Sequence, residues 1–167
     1  KDTPKALLEV NKKPLINYIV EKFDAISDVN EIYVITNNKF YAHFIQWKKS
    51  HPNWSSKLTI VNDLTQCPED RLGSIGDIDF LLRNEDVIDD LLIIGGDNLL
   101  DSSLEKFLSF AQSKSPSVTI GVYDIKNLEE CKKFGVVTLD QSKKISDFQE
   151  KPSWPASSLI AMCLYYL

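Results

Sequence analysis

The sequence of 167 residues contains no apolar run near the roughly 20 residues that a membrane span requires. No signal peptide opens it, and the expected compartment is therefore the cytoplasm. Positive charge is in deficit: 19 Lys and Arg stand against 24 Asp and Glu, for a net charge of -5. A nucleic-acid binder needs clustered cations for the phosphate backbone, so that class is disfavoured. Cysteines are few and odd in number, Cys67, Cys131 and Cys163, with no C-x-x-C pair, which disfavours a zinc knuckle or a disulfide framework. The histidines, His43 and His51, lack metal-ligand spacing and read as packing or surface residues. Internal repeats, low-complexity tracts and linkers are also missing.

What is present is a globular composition, 43% hydrophobic and 26% charged. The length fits one domain spanning residues 1–167. Short apolar runs at 6–10, 31–36, 58–61, 91–94 and 118–122 read as strands. Amphipathic stretches between them read as helices, at 39–48 and 73–83 and in a segment opened by Pro14, a residue tolerated at a first helical position. Asp101, Ser102 and Ser103 supply N-cap chemistry for a helix through Ala111. Alternation of this kind predicts an α/β fold, a mostly parallel sheet covered by helices.

The pattern changes after Gly135. Residues 136–139 and 145–148 flank the polar turn 140–144 and predict a β-hairpin. Pairing Asp140 with Ile145 and counting back places Gly135 beside Glu150. A last apolar run, 159–167, reads as a strand or part of one.

Four local features are candidates for chemistry. Thr3-Pro-Lys-Ala-Leu-Leu-Glu-Val10 with Asn11-Lys-Lys-Pro-Leu15 places Lys5 ahead of an apolar run. Arg71-Leu-Gly-Ser-Ile-Gly76 starts a helix, where glycine permits close backbone approach and free N–H groups can meet a ligand. Ile93-Ile-Gly-Gly-Asp-Asn98 ends a strand in two glycines and an aspartate, at the carboxyl edge where open parallel sheets bind ligands. A carboxylate there suits Mg2+, although Gly-Asp-Asn suits an ordinary turn as well. Phe134-Gly-Val-Val137 with Gln149-Glu-Lys-Pro152 joins a carboxylate that can accept sugar hydroxyls to a lysine that can meet a phosphate.

Taken together and in this order, P-K-A-L-L-E-V with N-K-K-P-L, L-G-S, G-G-D-N, F-G-V-V and E-K-P resemble the sugar-1-phosphate nucleotidylyltransferase family, from Thr3 to about Tyr166. The resemblance implies a Rossmann-like three-layer sandwich with a mixed, mostly parallel sheet and a C-terminal hairpin. It implies a nucleoside triphosphate and a sugar 1-phosphate as substrates, joined with release of pyrophosphate, and Mg2+ as cofactor. By similarity Lys5 contacts phosphate, Gly73 and Ser74 lie against the base, and Asp97 binds the metal. Gly135 then lets the sugar approach the backbone, Glu150 holds ring hydroxyls, and Lys151 meets the sugar phosphate. No nucleic acid or membrane partner is expected, and a homo-oligomer is compatible with the pattern.

The sequence also departs from the family. The G-x-G-T-R loop and its strand are expected ahead of Thr3 and are not in the sequence. A second metal-binding aspartate is expected beyond its end, so the domain is expected to be truncated at both ends. The polar stretch 62–71 is longer than the usual base-reading loop, and Cys163 stands where many members have glycine. Two alternatives remain at this stage: a choline-phosphate cytidylyltransferase of the same fold, with a similar T-P-K-A-L start, and a non-catalytic regulatory or binding homologue.

Overall fold

The computed structural model of the chain describes residues 2–54 and 56–167. Two compact units divide it, residues 1–89 and 90–167.

In the first unit the chain starts with a 3-10 turn, Lys5–Leu7, followed by a two-stranded hairpin of β1 (Glu9–Val10) and β2 (Lys13–Pro14). The sequence predicted one strand over residues 6–10. The difference arises in the Asn11-Lys12 turn, where both residues have positive φ, 50° and 63°, and reverse the chain after only two strand residues. Pro14 then caps α1 (Leu15–Val20), which continues as a 3-10 turn through Ala25.

Next come β3 (Ile32–Thr36), α2 (Asn38–Lys49) and β4 (Leu58–Asn62). The strands pair in parallel from Ile32↔Leu58 to Thr36↔Asn62, with the helix as the crossover that parallel pairing requires. Asn37 starts α2 by accepting a hydrogen bond from the Phe40 amide at 3.1 Å, and Lys48 and Lys49 fall in the last turn, where the helix dipole favours cations. Phe40, Phe44 and Trp47 recur at helical spacing and pack on Ile16, Val20, Leu58 and Ile60. A buried polar group crosses this core: Asn17 accepts from Trp47 Nε1 at 2.8 Å, and its Nδ2 lies 2.9 Å from Nε2 of His51. His51 also stacks on Trp54, which places this histidine in packing, as its sequence context predicted. A polar loop leads from β4 to α3 (Gly73–Asn84).

The second unit is built around β9 (Leu159–Tyr166). On one edge β9 pairs with β6 (Thr119–Asp124); on the other it pairs with β5 (Leu92–Ile94) at residues 164–166 and with β7 (Gly135–Leu139) at Ile160. β7 continues the sheet to β8 (Ile145–Glu150). All these pairings are antiparallel, so parallel pairing among the described strands is confined to β3 and β4. Helices α4 (Glu105–Gln112) and α5 (Leu128–Cys131) complete the unit. The helix predicted after Ser103 is α4, and Ser103 Oγ accepts from the Glu105 amide at 3.2 Å. Buried Cys131, Val136 and Ile160 form a core cluster, so this cysteine is a packing residue.

Candidate active site

In the first unit, Lys5 is exposed on the opening 3-10 turn, directly after buried Pro4. Gly73 is the first residue of α3 and has φ +73°, a left-handed conformation that side-chain-bearing residues rarely adopt. No atom outside its own neighbours lies within 4 Å of where its Cβ would be, so the backbone here faces open space. Exposed Ser74 follows in the first helical turn, among amides that a helix leaves unpaired.

The carboxyl edge of β3 and β4 is unusually polar. Asn62 Nδ2 donates to Asn38 Oδ1 at 2.9 Å, and the Asn38 amide donates to the Thr65 carbonyl at 3.0 Å. Buried Asp63 accepts from both the amide and the hydroxyl of Thr65, each at 2.8 Å. Asp70 accepts from the Gln66 and Cys67 amides, which holds it below the usual carboxylate range. The long polar stretch 62–71 is thus an ordered loop tied by its own side chains.

In the second unit, exposed Asp97 sits on the turn that follows β5. That turn is fastened to β9: the Gly95 amide donates to the Cys163 carbonyl at 2.9 Å, and Asn98 Nδ2 donates to the carbonyls of Met162 and Cys163. Cys163 lies between the stretches of β9 that pair with β5 and β7, in a left-handed conformation of φ 48°. Burial pushes its thiol up, with the Asp97 charge adding to the shift.

The hairpin matches the count made from sequence at the end that matters: Gly135 pairs with Glu150. At the turn the register slips by one, with Leu139 rather than Asp140 opposite Ile145. The Asp140 carboxylate takes hydrogen bonds from the Ser142 amide, the Ser142 hydroxyl and the Lys144 amide instead. A Cβ on Gly135 would fall 2.7 Å from Cζ of Phe148 and 3.2 Å from Oε2 of Glu150, so glycine is the residue that fits. Lys151 has φ 45°, donates its amide to the Phe134 carbonyl at 3.0 Å, and holds its ammonium 3.2 Å from Glu150. Gly135, Glu150 and Lys151 therefore stand together. Burial pushes the phenol of Tyr165 up, and Cys163 and Glu150 both add to the shift.

Sequence reasoning missed three contributors: Phe148 over Gly135, the Asn98 tether of the Asp97 turn, and a carboxyl pair, Asp63 with Asp77 on α3. The last had a readable signal. Asp77 precedes Phe80 and Leu81 by three and four residues, which puts an acid on the inward face of an amphipathic helix.

A parallel β3-α2-β4 unit with polar loops at its carboxyl edge and a glycine-opened helix place the chain in the α/β class, in which ligands bind at the carboxyl ends of the strands. The family model described as Nucleotidyl transferase matches residues 1–167, and the chain belongs to that family. It is 31% identical over 163 residues to the bifunctional protein GlmU of Methanocaldococcus jannaschii, covering 97% of this chain and 34% of that protein. A Sulfolobus acidocaldarius protein assigned as a mannose-1-phosphate guanyltransferase is 29% identical over 165 residues, 97% of this chain and 42% of its own length. A Bacillus anthracis protein assigned as a glucose-1-phosphate thymidylyltransferase, crystallised with sucrose, superposes with a TM-score of 0.78 at 20% identity. That superposition covers 99% of this chain and 63% of the other, and it bears out the predicted Rossmann-like fold. The chain spans about a third to two fifths of the curated relatives it matches along its length.

Proposed function

We propose that the chain is the catalytic part of a cytoplasmic sugar-1-phosphate nucleotidylyltransferase, which condenses a nucleoside triphosphate with a sugar 1-phosphate and releases pyrophosphate. The pairing of Gly135 with Glu150, with Lys151 beside them, carries the reading. A carboxylate and a cation side by side at one strand end match the hydroxyls and the phosphate of a phosphorylated sugar.

In this reading Gly73 and Ser74 receive the base, and Lys5 sets a cationic charge against phosphate. The sugar's phosphate oxygen attacks the α-phosphorus in line. Because both reactants are anions, most of what the protein supplies is alignment and charge neutralisation. Among the described residues no group of three or more His, Cys, Asp or Glu could hold a metal ion. Mg2+ is commonly bound by one or two carboxylates plus substrate phosphates rather than by an all-protein cage. Asp97, exposed on its tethered turn, is the residue that would hold it, and bound Mg2+ would supply charge stabilisation to the transferring phosphoryl group.

The test offers each nucleoside triphosphate with hexose 1-phosphates or with phosphocholine, in the presence of Mg2+, and follows pyrophosphate. Release that depends on a sugar 1-phosphate, and that Asp97→Ala abolishes while the far-UV spectrum stays unchanged, is the expected result. Turnover with phosphocholine alone, or full activity in Asp97→Ala, would overturn the assignment.

A further inference from the structure

The loop between β4 and α3 ends beside two adjoining carboxyl groups, Asp63 and Asp77. Oδ1 of Asp77 is buried without a donor among the described groups, whereas its neighbour Asp63 is buried and accepts two hydrogen bonds from Thr65. An ionised carboxylate only accepts, so two of them in hydrogen-bonding reach need a proton between them. A buried orphan acceptor is destabilising, and one shared proton removes that penalty together with the repulsion.

We propose that Asp77 carries this proton and donates it to Asp63, forming an acid–carboxylate latch that fastens the 62–72 loop to the first turns of α3. Both ends of the latch bear on the loop. Asp63 also receives Thr65, whose carbonyl in turn receives the Asn38 amide, so the latch continues into the start of α2. Gly73 and Ser74 lie one turn before Asp77. If they receive the nucleotide, as proposed above, the latch positions that site, and this consequence rests on that reading.

Burial raises the carboxyl of Asp77, and the Asp63 charge and hydrogen bond raise it further. The other charges nearby are already engaged or exposed. Asp79 pairs with Arg83 at 2.8 Å on the outer face of α3, Asp70 is held by loop amides, and Glu69 and Arg71 are exposed. The sign follows directly. The latch is closed while Asp77 is protonated and opens as pH rises through its raised value, when two carboxylates face one another.

Carboxyl 13C NMR from pH 3 to 9 gives the titration of Asp77, and amide exchange, expressed as protection factors, reports the loop. Asp77 is expected to titrate above the ordinary carboxylate range, with protection across 64–72 falling at least tenfold over the same interval. Asp77→Asn keeps a donor toward Asp63 at every pH and is expected to hold protection flat; Asp77→Ala is expected to lose it throughout. Calorimetry with each of the four ribonucleoside triphosphates is expected to show about tenfold weaker binding above the Asp77 titration, and no such step in Asp77→Asn. An ordinary titration for Asp77 overturns the proposal, as does a raised one with unchanging protection. If protection follows the titration but nucleotide binds at no pH, the latch stands and the nucleotide reading fails.

Discussion

Replacing Gly135 with alanine separates stability from sugar recognition. The added methyl would sit 2.7 Å from Cζ and 3.4 Å from Cε1 of Phe148, against the 3.5–4.0 Å of an ordinary carbon contact, an overlap of about 1 Å at the ring tip. Phe148 is 45% exposed, so its ring can swing toward solvent for about 0.5–1.5 kcal/mol. Alanine meanwhile recovers about 0.5–1 kcal/mol of the conformational entropy that glycine loses in a strand. The two nearly cancel, and the melting temperature should move by no more than a few degrees. The site is affected differently. The methyl also presses on Oε2 of Glu150, 3.2 Å away, and on the proposed reading it displaces the acceptor assigned to the ring hydroxyls. Losing one hydrogen bond to a charged group costs about 1.5–3 kcal/mol. At 1.4 kcal/mol per factor of ten, glucose 1-phosphate should bind roughly 10- to 100-fold more weakly, with nucleoside triphosphate affinity unchanged. Calorimetry with each ligand separately measures both. A folded variant that binds glucose 1-phosphate as tightly as the parent would refute the placement of the sugar at this strand end.

Two further outcomes test the first unit. Asn17→Ala should destabilise the chain by about 1–3 kcal/mol, because Trp47 Nε1 is left buried without its acceptor; a urea midpoint shift worth less than about 0.5 kcal/mol would show that the core repairs itself. Tyr33 donates its hydroxyl to Glu31 at 2.6 Å, and that bond chiefly pushes its phenol up to about 12. Since the folded value is raised, its contribution is complete below the ordinary tyrosine value and is lost as pH rises from about 10 to about 12. Ultraviolet titration should show one phenolate forming late, and that late step should vanish in Tyr33→Phe.

The hairpin shows how much of the site could be read in advance. Counting from a presumed Asp140–Ile145 pair gave the right partner for Gly135, although that starting pair does not exist. The turn takes Asp140 out of the ladder, since its carboxylate closes on Ser142 and Lys144, and an irregularity at Ser146 restores the register before Thr138 meets Asp147. A two-residue period fixes which face each residue takes, so the functional end was legible even though the turn chemistry was not. Local propensity misled at residues 6–10, where a 3-10 turn takes the start of the run and a left-handed Asn11-Lys12 pair folds the chain back after two strand residues. Contacts distant in sequence were out of reach altogether. Asn98 meets Met162 and Cys163 more than sixty residues away, and the Asp63–Asp77 pair needs the end of a strand and the flank of a helix brought together. Of the two devices only Asp77 leaves a mark in the local pattern, an acid on the inward face of an amphipathic helix; Asn98 reads as an ordinary turn residue. The two loops carrying the proposed chemistry are thus fastened by one residue that local rules flag and by one that they pass as an ordinary turn.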